Sequence, residues 1–166
     1  MASKLCVQLL RAKIRERHLE GVDLSSWRVV TNCSEPVRWE SHQAFYEKFK
    51  SYGLKREALQ TSYAMAENVF AVTQSPLGGE PAVLEIERKA FMSERVAKLT
   101  TDANAHEHPT MKMMSSGRPL ENVKIKVLDE NRSELPERVI GEVALQSNSM
   151  LTGLLPPRRC DATSFS

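Results

Sequence analysis

The sequence lacks the features that mark several specialised classes of protein. Among its 166 residues, 23 Lys and Arg offset 21 Asp and Glu, and a net charge of +2 is too small to indicate a nucleic-acid binder or a polybasic membrane binder. No run approaches the roughly 18 apolar residues of a membrane span, and the first residues lack the small-residue cleavage site of a signal peptide. The three cysteines are too few and too far apart for a disulfide framework, so we expect a cytoplasmic protein.

Familiar phosphate-binding and metal-binding motifs are also missing. The chain contains neither GxxxxGK[ST] nor GxGxxG, the two glycine-rich loops that cradle nucleotide phosphates. His106, Glu107 and His108 have no third ligand at metal spacing, so a solvated loop is expected there rather than a metal site. Cys33 lies between a predicted strand and a predicted helix, a position at which reactive thiols occur. No histidine motif accompanies it, so a small buried side chain is a simpler interpretation than a nucleophile.

The first half of the chain contains a strand, a helix and a second strand in order. Residues 27–31 are β-branched and typical of a short strand, and residues 58–62 form a similar segment. Between them, residues 36–52 carry aromatic side chains at helical spacing, and another helix is predicted at residues 6–20. A strand–helix–strand unit of this kind predicts two parallel strands of an α/β sheet.

The ends of the helix at residues 36–52 are marked in the sequence. Ser34 or Glu35 can accept hydrogen bonds from the first free N–H groups of the helix. Pro36 suits a first turn, where a missing N–H costs nothing. Gly53 can adopt the left-handed conformation that ends a helix.

The second half of the chain is predicted to be mostly β-structure. Short apolar or alternating segments indicate four strands, and one amphipathic segment indicates a helix. The predicted fold class is therefore α/β, with a parallel strand–helix–strand unit followed by a β-rich segment. The strands are expected at residues 82–86, 111–114, 123–128 and 139–146, the helix at 88–99, and the loops at 76–81, 100–109 and 129–136.

A short segment after the second strand combines groups that suit a nucleotide. Parallel strands leave their carboxyl ends at one edge of a sheet, where the ligands of open α/β sheets bind. At this edge Tyr63 can stack on a purine, small side chains let a phosphate approach the backbone, and the Glu67 carboxylate is an oxygen ligand that suits Mg²⁺. From the residues alone, the start of a helix, with Glu67 favourably placed near its N-terminus, is the alternative.

Four short motifs occur in an order that is known from one enzyme superfamily. They are TNCSEPVR at residues 31–38, YAMAE at 63–67, GRP at 117–119 with VKIKV and GEV after it, and SMLTG at 149–153. TNCSEPVR resembles the NGAEPV adenine loop of fatty acyl-AMP ligases, and YAMAE resembles their YGLAE motif. The GRP segment resembles their GRP…GEI segment, and SMLTG resembles the end of that segment. The resemblance covers about residues 19–153 and identifies the chain as similar to these members of the adenylate-forming superfamily.

The resemblance implies that residues 1–153 are part of an AMP-binding (adenylation) domain, from the large N-terminal domain of such an enzyme. The complete enzyme joins a fatty acid to ATP, giving acyl-AMP and pyrophosphate, mainly by positioning and electrostatics and with the help of Mg²⁺. By resemblance, Glu67 would hold Mg²⁺. The implied nucleotide-binding residues are Ser34, Glu35 and Pro36 along the adenine, Tyr63 on its ring, Ala64 and Met65, and Ala66 with its backbone close to the α-phosphate.

The sequence departs from the family pattern at two places and in the length of one interval. Cys33 and Ser34 replace Gly-Ala, and Ala64 replaces a Gly, which matters only if that position needs positive φ. The interval from Glu67 to Gly117 is long, and residues 82–101 are expected to be the insertion that acyl-AMP ligases carry there. This length favours an acyl-AMP ligase over an acyl-CoA synthetase and leaves carrier protein or CoA open as the acyl acceptor.

Several family elements have no counterpart in the sequence, namely the triphosphate loop, the Asp that binds the ribose and the catalytic Lys. We therefore expect an internal fragment that is inactive alone, with a non-catalytic remnant or a partner-binding fragment as the alternative. Where the family has TGYYRR, residues 152–159 are TGLLPPRR. One inserted C would turn the codons TAC TAC CGC CGC into CTA CTA CCG CCG, so residues 154–166 are predicted to be a frameshifted tail, which the gene sequence tests.

Overall fold

Two parallel strands and the helix that joins them form the centre of the fold. The computed structural model describes residues 2–3, 10, 12–100 and 108–151. Strand β2 (Val30–Cys33) pairs in parallel with β3 (Leu59–Ala64), and the short β1 (Ala2–Ser3) pairs in parallel with β2. The predicted strand–helix–strand unit is therefore confirmed, although its first strand begins three residues later than expected. Helix α1 (Trp39–Phe49) lies between β2 and β3 in the chain.

Helix α1 starts three residues later than predicted and ends where the sequence indicates. Arg38 precedes its first turn in an extended conformation, and no side chain caps its N-terminus. The predicted cap by Ser34 or Glu35 is wrong, since the φ of 73° at Ser34 turns the chain at the strand end and helical backbone begins only after Arg38. At the other end, a 3-10 turn at Lys50–Tyr52 closes on Gly53, whose φ of 87° is the left-handed conformation expected of a helix stop.

The apolar core lies between helix α1 and strands β2 and β3. Phe45 and Phe49 are 2% and 3% exposed, and their ring centroids are 4.6 Å apart. Because they are four residues apart, both project from one face of the helix. The other buried residues of this cluster are Leu19, Leu24, Leu54, Ala58 and Leu59.

Antiparallel partners extend the sheet on the other side of β3. Strand β4 (Ala71–Gln74) pairs with β3, and the two-residue strand β7 (Arg118–Pro119) pairs with β4. The strand order is β1-β2-β3-β4-β7, so the sheet is parallel on one side of β3 and antiparallel on the other. The sequence predicts neither β4 nor β7, because such short segments take strand conformation from the partners they pair with.

The second half of the chain forms two antiparallel ribbons. Strands β5 (Val83–Glu87) and β6 (Thr110–Met114) form the first, and strands β8 (Val123–Leu128) and β9 (Glu142–Ser147) form the second. All four strands are predicted from the sequence, although β9 begins three residues after its expected start. The α/β fold class with a β-rich second half is confirmed.

The predicted helix at residues 88–99 is confirmed for residues 88–94 and is wrong beyond them. Its π-helical part is Ala90–Glu94, and the helix ends at Arg95, which has a φ of 57°. Beyond that point, backbone hydrogen bonds of 2.7 and 2.8 Å join residues 95–97 to residues 138–140. These bonds hold the chain extended and so end the helix.

Some predictions concern residues that the structure does not describe. The predicted helix at residues 6–20 lies partly among them, and its described part contains a 3-10 turn at Glu16–His18. The proposed frameshifted tail at residues 154–166 lies wholly outside the described residues. None of the helices among the described residues could span a membrane.

His42 is expected to make the stability of the fold depend on pH. Burial lowers the pKa of its imidazole below the ordinary 6.5, with the charge of Arg56 adding to this and a hydrogen bond to the Leu59 backbone opposing it. The unfolded chain therefore binds the proton more tightly than the folded chain. We expect the free energy of unfolding to decrease as the pH falls from about 6.5 through the lower folded-state pKa, measured by urea denaturation across that interval.

Two histidine variants distinguish this effect from general acid sensitivity. His42→Gln is expected to remove the pH dependence in this interval, whereas His18→Gln, at an exposed site, is expected to retain it. Asp23 is not expected to interfere with this comparison. Hydrogen bonds from Ser25 lower the pKa of its exposed carboxyl, so Asp23 titrates at a more acidic pH than the interval used for His42. A His42→Gln chain with the same pH dependence as the unchanged protein would contradict the prediction.

Candidate functional site

The two segments that resemble nucleotide-binding loops leave the same edge of the sheet. Strand β2 ends in buried side chains, and strand β3 is buried over its first four residues and becomes exposed at Tyr63. In the parallel register Asn32 pairs with Thr61, so both strands end side by side. The structure therefore brings the predicted residues to one edge: Ser34, Glu35 and Pro36 follow β2, Tyr63 and Ala64 end β3, and Met65, Ala66 and Glu67 follow β3.

Residues 34–36 form an exposed turn after β2. The left-handed φ of 73° at Ser34 is uncommon for a residue other than glycine, and such conformations cluster at binding sites. Cys33, directly before the turn, is only 1% exposed, and its Sγ lies 3.5 Å from Ser34 Oγ. The thiol is therefore placed as a small buried side chain and is not accessible as a nucleophile.

Tyr63 lies where strand β3 departs from a regular ladder. The register with β4 shifts between Tyr63 and Ala64, and the Tyr63 N–H donates to Thr73 Oγ1 at 3.2 Å. That hydroxyl donates in turn to the Ser116 carbonyl at 2.6 Å, which fixes the irregularity. The Tyr63 side chain is 39% exposed, so part of its aromatic surface is free to contact a ligand.

Ala64, which stands where the family has glycine, fits its position without strain. It is the last residue of β3 and is not among the described residues with positive φ. A Cβ is therefore tolerated by the backbone at this point. The replacement of the family glycine does not argue against a nucleotide site here.

Glu67 lies in the middle of a single 3-10 turn, Ala66–Asn68, directly after β3. Since the chain returns to a strand at Ala71, the alternative of a helix start is wrong. Within the described part of the chain the exposed Glu67 carboxylate has no hydrogen bond or ion pair. A carboxylate placed in this way can bind a cation.

The Glu67 carboxylate is suited to be one protein ligand of a Mg²⁺ ion whose other ligands are water and the phosphate oxygens of a nucleotide. Mg²⁺ commonly takes one or two carboxylates and completes its octahedral shell with water and phosphate oxygens. No group of three His, Cys, Asp or Glu among the described residues could hold a metal by protein ligands alone. Of the histidine pair weighed as a metal motif, His108 is exposed, and His106 and Glu107 lie outside the described residues.

Two buried asparagines at this edge are not predicted from the sequence. Asn68 is 3% exposed, and its carboxamide hydrogen bonds to the Ala71 carbonyl and the Ser147 hydroxyl. Asn32, at the end of β2, is 2% exposed, and neither atom of its carboxamide has a hydrogen-bond partner in the described structure. The only sequence signal for Asn68 is its position next to Glu67. Its partner Ser147 is 79 residues away, so no local pattern could predict their contact.

Comparison with known proteins gives one family match and several similar relatives. Residues 2–155 match the family of AMP-binding enzymes. The long-chain-fatty-acid–AMP ligase FadD32 of Mycobacterium marinum is 32% identical over 146 residues, which are 87% of this chain and 22% of that protein. The medium-chain-fatty-acid–[acyl-carrier-protein] ligase JamA of Moorena producens is 30% identical over 80% of this chain and 22% of that protein.

Solved structures of fatty acyl-adenylate ligases share the fold. One from a study of the Escherichia coli and Legionella pneumophila enzymes has a TM-score of 0.86 and 25% identity, covering 92% of this chain and 27% of that one. The fatty acid AMP ligase from L. pneumophila has a TM-score of 0.79 and 31% identity, covering 90% of this chain and 25% of that one. This chain therefore spans about a quarter of the length of its relatives. Because the family match covers nearly all of its residues, the chain belongs to the AMP-binding enzymes and is similar within that family to the fatty acyl-AMP ligases.

Proposed function

We propose that the chain supplies the adenine-binding loops and the Mg²⁺ ligand of an enzyme that joins a fatty acid to ATP, forming acyl-AMP and pyrophosphate. The observation that carries the proposal is the meeting of residues 34–36 and 63–67 at adjacent ends of β2 and β3. Ligands of open α/β sheets bind at such an edge. The similarity to fatty-acid ligases supports a fatty acid as the carboxylic substrate.

In this proposal adenine lies between the exposed turn at residues 34–36 and the ring of Tyr63. A purine offers an aromatic face for stacking, and Tyr63 is 39% exposed at the strand end. Ala64, Met65 and Ala66 place short or flexible side chains between Tyr63 and Glu67, so the backbone there can lie close to the α-phosphate.

Glu67 is proposed to hold Mg²⁺ together with the phosphates of ATP. When bound, the ion neutralises negative charge on the departing pyrophosphate. The exposed carboxylate has no competing partner among the described residues, so it is free to bind.

A chain that spans about a quarter of its relatives supports a second candidate, a fragment that binds a nucleotide without turning it over. In that case this chain would not itself supply the triphosphate loop, the ribose Asp and the catalytic Lys of the family.

In the complete enzyme, residues 82–101 are proposed to be the ligase-type insertion, and the cytoplasm is the proposed location. An acyl carrier protein, named for two of the relatives, is the proposed acyl acceptor, with CoA as the alternative.

Calorimetric titration of the full chain tests the proposed site. The probes are a non-hydrolysable acyl-adenylate analogue and a non-hydrolysable ATP analogue with Mg²⁺. Tyr63→Ala is expected to weaken both by about ten-fold or more, since stacking of a base on an aromatic ring is worth about 1–3 kcal/mol. Glu67→Ala is expected to weaken the ATP analogue only when Mg²⁺ is present.

Matched variants separate the site from its surroundings. Tyr63→Phe keeps the ring and is expected to bind as the unchanged chain does. Glu57→Ala removes an exposed carboxylate before the first residue of β3, at the opposite end of that strand from Glu67. Binding of these probes, together with no release of pyrophosphate from ATP and a fatty acid in a separate assay, would favour the non-catalytic candidate. A folded chain that binds neither probe would overturn the proposed function.

A further inference from the structure

The loop that carries Glu67 is held in a strained conformation. Val69 has φ 61° and ψ −39°, and the Phe70 N–H donates across it to the Asn68 carbonyl at 2.6 Å. This is a γ-turn of positive φ, which is rare and strained, and the β-branched side chain of Val69 increases the strain. Such a conformation persists where surrounding contacts over-determine it. Because Val69 is 79% exposed, its own side chain does not supply those contacts.

Asn68 supplies contacts from inside the turn. Its side chain is nearly inaccessible, at 3% exposure. The Nδ2 atom donates to the Ala71 carbonyl at 2.9 Å, at the start of β4, and Oδ1 accepts from Ser147 Oγ at the end of β9. The backbone N–H of Asn68 donates to the Met65 carbonyl at 3.2 Å. One side chain therefore joins the turn to two strands.

The residues after β9 meet the same loop at a second point. The Leu151 N–H donates to the Glu67 carbonyl at 2.7 Å. The Ser149 N–H donates to Ser147 Oγ at 3.0 Å, which leaves the single Ser147 proton for Asn68. Strand β9 belongs to a different sheet from β3 and β4, so these bonds link two sheets through the Glu67 loop.

We propose that Asn68 and Ser147 are positioning residues that fix the Glu67 carboxylate for a Mg²⁺-bound nucleotide. The inference rests on the proposed function of Glu67. Neither residue would touch the ligand: Asn68 is buried, and Ser147 acts through Asn68. Loss of either contact frees the strained turn at Val69 to relax, which moves the carboxylate that precedes it.

Ser147→Ala removes the donor, and Ser147→Thr is the matched control that keeps the hydroxyl. Binding of a non-hydrolysable ATP analogue to the full chain is measured with Mg²⁺ and with EDTA. The increase in affinity due to Mg²⁺ is expected to drop by about five-fold in Ser147→Ala, as one buried acceptor loses its partner, while affinity in EDTA is unchanged. Ser147→Thr is expected to behave as the unchanged chain. Asn68→Asp, which presents an oxygen to the Ala71 carbonyl, is expected to show the same loss as Ser147→Ala.

Hydrogen exchange of the Val69 and Leu151 amides gives a second readout that does not need ligand. Ser147→Ala is expected to speed exchange at both by about five-fold, and Ser147→Thr is not. Equal loss of affinity with Mg²⁺ and with EDTA would mark a general structural role and overturn the proposal, as would unchanged exchange in Ser147→Ala. If the unchanged chain binds no nucleotide, the proposed function of Glu67 fails, and the exchange rates alone decide whether Ser147 and Asn68 hold the loop.

Discussion

Gly117→Ala is expected to prevent the chain from reaching its native structure. Gly117 has a φ of 95°, and an added Cβ would lie 2.0 and 2.1 Å from the Gln74 carbonyl group and 2.2 Å from the Ser75 nitrogen. These are backbone atoms at the end of β4, so no side chain can rotate away to make room. We expect a loss of more than about 4 kcal/mol in the free energy of unfolding, close to the whole stability of many domains.

The backbone around Gly117 has little freedom to yield. The preceding residues, Ser115 and Ser116, accept hydrogen bonds from Thr61 Oγ1 at 2.7 Å and Thr73 Oγ1 at 2.6 Å. Moving Gly117 to admit a Cβ would strain both bonds and the pairing of β7 with β4. Since Thr73 also holds the Tyr63 N–H, the disturbance would reach the candidate site.

Gly78→Ala is the matched control for Gly117→Ala. Gly78 also has positive φ, at 77°, but nothing lies within 4 Å of an added Cβ. Its substitution is expected to cost only the left-handed penalty of about 1–2 kcal/mol. Urea denaturation followed by circular dichroism measures both variants, and equal losses would show that the steric argument for Gly117 is wrong.

Phe45→Ala is expected to give the second largest loss, about 3–5 kcal/mol, because it removes a buried aromatic side chain and leaves a cavity. Phe45 is 2% exposed and packs 4.6 Å from the Phe49 ring, between helix α1 and strands β2 and β3. The measurement is the urea midpoint with an unchanged slope, which identifies a change in stability alone.

Leu77→Ala controls for removing an apolar side chain as such. Leu77 is 70% exposed, so its substitution is expected to change the free energy of unfolding by less than about 0.5 kcal/mol. A Phe45→Ala chain that is as stable as Leu77→Ala would show that helix α1 contributes little to the core.

The part of the fold that could be predicted is the part encoded by local patterns. The β-branched segments before and after an aromatic-faced helix predict β2, α1 and β3, and alternation predicts the two ribbons. The rule that parallel strands end together then locates Tyr63 and Glu67 near the turn at Ser34.

The rest depends on contacts between distant residues, which no local pattern records. The two residues of β7 become a strand because Thr73 and Gln74 pair with them. The segment after Arg95 is extended because it hydrogen bonds to residues 138–140. For the same reason, the bond between Asn68 and Ser147 is found only in the folded chain.

Among the described residues, β7 is the edge strand on one side of the mixed sheet, and its short length affects association between chains. Edge strands expose unpaired N–H and C=O groups, onto which another chain can add a strand and start an aggregate. Strand β7 is only Arg118–Pro119, and Pro119 has no N–H to donate. A strand arriving at this side would find little backbone to pair with and a positive charge beside it. The shortness of β7 therefore protects this edge against intermolecular strand addition.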